Sequence, residues 1–112
     1  MPRNLAESDL SRVSLSGDNL PGADLHGCNL HAANAVRTNL SGANLSGANL
    51  TEAKLVEANL TEADLSAADV AGADLRDADL RGAKLDGTKG LDQARLDRAR
   101  LDTPNDPADA GS

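Results

Sequence analysis

The sequence predicts an all-β solenoid, a chain that bends after every short extended piece and stacks the resulting coils. Three observations carry this. Leucine or a close substitute recurs at every fifth residue from Leu5 to Leu85. The apolar spacing alternates between two and three residues. The 112 residues contain no Phe, Tyr or Trp, and the apolar 39% is almost entirely 18 Leu and 20 Ala. A globular core of ordinary design relies on aromatics for buried area, so the interior here must be narrow and regular.

The register has five positions. Of 17 central positions, 15 are Leu and the others are Ala35 and Val70. Two residues earlier, at the small position, Ala stands in 11 of the 17 units. One residue before the centre, at the Asx position, 14 of 17 are Asn or Asp; Ser14, Lys54 and Lys84 depart. The flank position follows the centre, and at the corner position after it Gly recurs, as at Gly17, Gly42, Gly72 and Gly82. In an α-helix a period of five steps by about 140°, so the leucines would visit every face. In a straight strand an odd period would send successive leucines to opposite faces. A short extended piece followed by a bend puts every small and central residue on one inner side. Glycine supplies the bend, and Asn or Asp reinforces it by bonding nearby backbone. Coils of this kind must stack, because one ring cannot bury its own apolar side.

This unit, Ala–Asn/Asp–Leu–x–Gly/x over roughly residues 3–102, resembles the pentapeptide-repeat family. The resemblance implies a right-handed quadrilateral β-helix of about five coils, four pentapeptides per coil, with coils about 4.8 Å apart. The small and central residues point inward and the other three outward.

Residues 1–102 then form a single solenoid. Its first coil, 3–22, carries Arg3, Ser8, Val13 and Asp18 at the small position, as expected of an end coil that meets solvent. A twenty-residue coil stacks Leu5, Leu25, Leu45, Leu65 and Leu85 in one column and Leu10, Leu30, Leu50 and Val70 in the next. Leu15, Ala35, Leu55 and Leu75 make the third, and Leu20, Leu40, Leu60 and Leu80 the fourth. Ala35 is the one small residue among them and predicts a local void or inward shift. Ala35→Leu is expected to hold or raise the melting temperature; a drop would refute it. At 86–90 the frame slips by one residue, and Leu91, Leu96 and Leu101 resume the period. Residues 91–102 read as a closing coil, with a short helix as the alternative, because the segment is rich in Ala, Arg and Leu. Residues 103–112, with two Pro and no large apolar side chain, read as a disordered tail.

Net charge is −7, which argues against direct nucleic-acid binding. Residues 51–80 hold two basic and eight acidic side chains, nearly all of the excess. Glu52, Glu57, Glu62 and Asp77 take corner positions; Asp64, Asp69, Asp74 and Asp79 take Asx positions on four successive sides. The expectation is an acidic band encircling the middle coils. It serves solubility, or it imitates the charge of DNA, as in family members that protect type II topoisomerases from quinolones or toxins. Those relatives are longer, place Phe at central positions and dimerise through C-terminal aromatics; this chain has no Phe.

His26, Cys28 and His31 have the residue types of a metal or nucleophile site, but the register separates them. Cys28 takes a small inward position, and the histidines take flank positions on adjacent sides. No phosphate loop, calcium loop or converging catalytic set appears, so no cofactor, no metal and no enzyme are expected. Val36 and Val56 are expected to stack on one side as a small exposed apolar patch, beside Arg37. No apolar run approaches membrane-spanning length, and one Cys makes no internal disulfide, which fits a cytoplasmic protein. The function expected is a rigid scaffold or protein-interaction module, monomeric or an end-to-end dimer, with gyrase binding as the alternative. Arg3 and Asp18 at one end and the segment Leu91–Asp102 at the other read as devices that block edge pairing.

Overall fold

The computed structural model describes residues 4–101; Arg3, the last residue of the closing coil and the 103–112 tail lie outside the described residues. The backbone winds into five layers with four sides each. On the first side Asn4, Asp24, Asn44, Asp64 and Lys84 are joined by parallel bridges; on the second, Asp9, Asn29, Asn49, Asp69 and Lys89. The third runs Ser14, Asn34, Lys54, Asp74 and Arg95, and the fourth Asn19, Asn39, Asn59, Asp79 and Arg100. Each side contributes one bridged residue rather than a strand, because a side of five residues spends most of its length turning.

Three backbone bonds repeat at each layer boundary. The central N–H donates to the Asx-position carbonyl of the next layer, as Leu25 to Asn44 at 2.8 Å. The corner N–H donates to the next flank carbonyl, as Gly27 to Ser46 at 2.9 Å. The Asx-position N–H donates back to the small residue of the layer below, as Asn44 to Ala23 at 2.9 Å. Within each unit a turn closes from the small-position N–H to the preceding central carbonyl, as Ala48 to Leu45 at 3.0 Å.

Every corner position from Glu7 to Gly87 has positive φ, which makes these type II turns. Glycine was expected there, yet Glu7, Arg12, Ala32, Arg37, Glu52, Glu57, Glu62, Ala67 and Asp77 adopt the same conformation, at φ 58–62°. The stack holds them in it. The Asx side chain is one reason: Asn44 Oδ1 accepts the Ser46 N–H at 3.0 Å and its hydroxyl at 2.7 Å, and Asp64 Oδ1 accepts the Ser66 N–H at 2.9 Å. The carboxyl or carboxamide thus satisfies the one N–H that the turn leaves over.

Leu25, Leu30, Leu40, Leu45, Leu50, Leu55, Leu60, Leu65, Val70, Leu75 and Leu80 are all at most 2% exposed, with the alanines between them equally buried. Ala35 is buried as well. Leu85 is only half-buried, like Leu5, Leu10 and Leu15, since it belongs to an end layer. At three small positions a polar donor is used: the Thr38 hydroxyl gives to the Leu15 carbonyl (2.6 Å), Thr88 to Leu65 (2.7 Å) and the Cys28 thiol to Leu5 (2.8 Å).

The slip in frame has a local cause. Gly90 takes the central position above Val70, with φ +80°, and a Cβ there would lie 2.5–2.8 Å from Ala71 backbone and Cβ. No leucine fits, and the extra residue is absorbed in a 3-10 turn, Leu91–Gln93, the one helix among the described residues. Gln93 still accepts the corner N–H of Gly72 at 3.1 Å. Beyond it Asp74 bridges to Arg95 and Asp79 to Arg100, a stride of 21 instead of 20.

Candidate interaction surface

Outward side chains stand in vertical ladders, one for each outward position on each side. The acidic residues expected to form one band separate into two sets. Glu52, Glu57, Glu62 and Asp77 are exposed at corners. The Glu52 and Glu62 carboxylates lie over Gly72 and Gly82, in the space that a Cβ at those glycines would take. Glu57 faces Arg37 (3.3 Å), and Asp77 is gripped by Arg98 (2.7 and 3.0 Å). Arg98 holds the Asp77 carboxyl below the usual carboxylate range.

Asp64, Asp69, Asp74 and Asp79 are half-buried and spend Oδ1 on the flank N–H of Ser66, Ala71, Arg76 and Arg81. Arg76 also binds Asp74 in a fork (2.8 and 2.7 Å), as Arg81 binds Asp79 (2.9 and 2.6 Å). These guanidiniums hold both carboxyls low, and the Ser66 hydroxyl does so for Asp64. Directly above the four aspartates stand Lys84, Lys89, Arg95 and Arg100, a basic ring on an acidic one. Sequence reasoning missed this pairing. The signal was present as a basic residue 20 or 21 positions after each aspartate, but the slip in frame hides the last two.

The third side differs from the others. Val36 and Val56 are stacked at its flank position and half-buried, with the Arg37 N–H bonded to the Val56 carbonyl at 2.9 Å. Lys54 stands exposed at the Asx position beside Val56, between Asn34 and Asp74. With Arg37 these residues make a compact apolar and basic patch on the second and third layers.

The histidines do not meet. His26 Nδ1 lies 2.8 Å from Asp24 Oδ1, and His31 Nδ1 lies 2.7 Å from Thr51 Oγ1 in the next layer. The Asp24 carboxylate raises the His26 pKa. Cys28 is fully buried, and desolvation pushes its thiol pKa up, away from a reactive thiolate. Among the described residues no three His, Cys, Asp or Glu side chains group as metal ligands, and no helix is long and apolar enough to cross a membrane.

A four-sided stack of type II turns with Asx-capped corners and a Leu/Ala interior defines a repeat β-solenoid whose residues vary most on its outer faces. The pentapeptide repeat model matches eight copies, covering 8–47, 23–61, 43–82 and 58–89. The chain belongs to the pentapeptide repeat family, whose fold is the right-handed quadrilateral β-helix. A similar solved structure is that of HetL, a pentapeptide repeat protein involved in heterocyst differentiation regulation from the cyanobacterium Nostoc sp. strain PCC 7120. It is 36% identical over 88% of this chain, with a TM-score of 0.72, and the match spans 51% of HetL, about half its length. Rfr23 from the cyanobacterium Cyanothece 51142 is 24% identical, over 90% of this chain and 85% of that one, with a TM-score of 0.46. One QnrB1 structure, of a plasmid-mediated fluoroquinolone resistance protein, is 19% identical, over 89% and 51%, with a TM-score of 0.45. None of the curated proteins compared matches the chain. Proteins of this family are in general structural or binding proteins rather than catalysts.

Proposed function

We propose that this chain is a non-enzymatic, rigid protein-binding module, and that its contact surface is the third side, centred on Val36, Val56, Lys54 and Arg37. The observation that carries this reading is the concentration of departures from the repeat on that one side. Asn or Asp at the Asx position caps the flank N–H and small polar residues are common at the flank, so Lys54, Val36 and Val56 make no contribution of that kind. Rigidity supports the same reading: a flat face held by inter-layer bonds binds with little ordering cost. The fully buried lone thiol Cys28 fits a reducing, cytoplasmic setting. The test compares the parent with Val36→Lys/Val56→Lys and with a control, Ser41→Lys/Thr61→Lys, on the fourth side. Quantitative affinity capture from the native host is expected to lose a defined partner only with the first variant; equal loss or equal retention overturns the assignment.

The exposed carboxylates Glu52, Glu57, Glu62 and Asp77 favour a second reading, gyrase binding by imitation of DNA charge. It draws less support from Asp64, Asp69, Asp74 and Asp79, each engaged with a flank N–H and faced by a basic residue. A gyrase supercoiling assay, with and without a quinolone, decides it: neither inhibition nor protection at micromolar protein removes this reading.

A further inference from the structure

The two ends of the solenoid are not equivalent, and their chemistry fits. We propose that copies of this chain associate head to tail, the first layer of one copy seated on the last layer of another, so that the winding continues across the junction. At the last layer, among the described residues, the N–H groups of Leu85, Gly87, Leu96 and Arg98 and the carbonyls of Ala83 and Ala94 have no partner. At the first layer the same holds for the N–H and C=O groups of Asp9, Ser14 and Asn19. These are the halves of the three-bond pattern found at every internal boundary. The Leu96 N–H meets the Ser14 carbonyl of the next copy, and the Ser14 N–H meets the Ala94 carbonyl. The register also closes. Because the extra residue is absorbed at the Leu91–Gln93 corner, the last layer completes its fourth side at Arg100–Leu101. The first side of the next copy then falls over Lys84.

Charge selects this arrangement over the one with two last layers face to face. Two last layers face to face would set Lys84, Lys89, Arg95 and Arg100 against four basic residues, and like charges directly opposite destabilise a pairing. Head to tail, the same ring meets Asn4, Asp9, Ser14 and Asn19, with Asp9 over Lys89. The ring of Asp64, Asp69, Asp74 and Asp79 already serves this basic layer from below. An end is a single twenty-residue layer, smaller than the roughly 800 Å² per partner of a standard interface. Association is therefore weak and salt-sensitive. A heterologous contact without rotational closure also leads to open rods rather than dimers.

Sedimentation equilibrium and small-angle scattering of the full chain, across a concentration series up to about 1 mM, read this out. Salt is varied from about 20 to about 500 mM, over which the screening length falls from roughly 20 to 4 Å. The expected result is concentration-dependent growth in length at constant cross-section, suppressed by salt. Asp9→Lys and Lys89→Asp are each expected to weaken growth roughly fivefold at low salt, and the double exchange to restore it. Circular dichroism melts confirm that each variant folds, and Asp9→Lys alone suffices if Lys89→Asp does not. A monomer at every concentration, which residues 102–112 lying over the last layer would give, overturns the proposal. So does a dimer that never grows, or growth indifferent to both reversals.

Discussion

The first three layers and the last two perform one backbone task with different chemistry. In the Asn-rich layers a neutral carboxamide caps most turns: Asn39, Asn44, Asn49 and Asn59 accept the flank N–H at 3.0–3.1 Å. In the fourth layer aspartate does this on all four sides, at 2.9–3.3 Å. The geometry is the same, but a ring of four carboxylates about 4.8 Å from its neighbours must be compensated. Arg76, Arg81, Arg98 and the basic fifth layer supply that compensation. An Asx cap is thus a shape requirement, and its charge is free to vary only where another layer can answer it.

Gly90→Ala breaks the comparison most severely. Its Cβ would overlap Ala71, and it must also hold φ +80°. The expected cost is about 3 kcal/mol or more. Hydrogen exchange is the check: protection is lost from 91–101 and from Asp74 and Asp79 beneath, while 25–60 keep theirs.

Acid sharpens the difference. Asp64, Asp74, Asp77 and Asp79 have folded-state pKa values lowered by their hydrogen-bond partners. Their contribution is complete above the ordinary carboxylate value, about 3.9, and is lost as pH falls through the lowered one. Protonation also leaves the basic ring uncompensated. As pH falls well below the ordinary carboxylate value, the fourth and fifth layers are expected to exchange amides before the Asn44–Leu60 layer, whose Asn caps do not titrate. Uniform exchange would show that the ionic rings add nothing.

Ala67→Gly and Ala32→Gly test what the two regions share. Each relieves a left-handed alanine, at φ 59° and 58°, and each makes the unfolded chain more flexible. The net expectation is about 0.5 kcal/mol of stabilisation in both, seen as a rise of a few degrees in Tm. Unequal gains would mean that the corner strain differs between regions. The smallest effect belongs to His26, whose pKa is raised by Asp24. That contribution is complete below about pH 6.5 and lost as pH rises through the raised value. A slight fall in Tm between about pH 6 and 8 is expected, and Asp24→Asn, which keeps a capping oxygen, should abolish it.

Much of the fold was legible from period and residue type. Alternation of apolar spacing, Asn or Asp before each Leu, and Gly at half of the corners all report contacts within one unit, and one unit is what a local pattern encodes. The histidines and Cys28 were separable for the same reason, since register alone sends them to different positions. Less was legible of the surface. Eight acidic residues in thirty read as one band, yet four of them are Asx caps under a basic ring, and the relation joining them spans 20 or 21 residues. The sequence by itself determined the unit, its inward pair and its turn. Only the tertiary structure decided that Glu, Arg and Ala corners take the left-handed turn as glycine does, because stacked layers impose it. It also decided that a 3-10 turn, following a glycine that lies too close to Ala71 for a side chain, absorbs the slip in frame, and which charges stand above which. Those outcomes depend on layers meeting about 4.8 Å apart, a distance that no stretch of five residues contains.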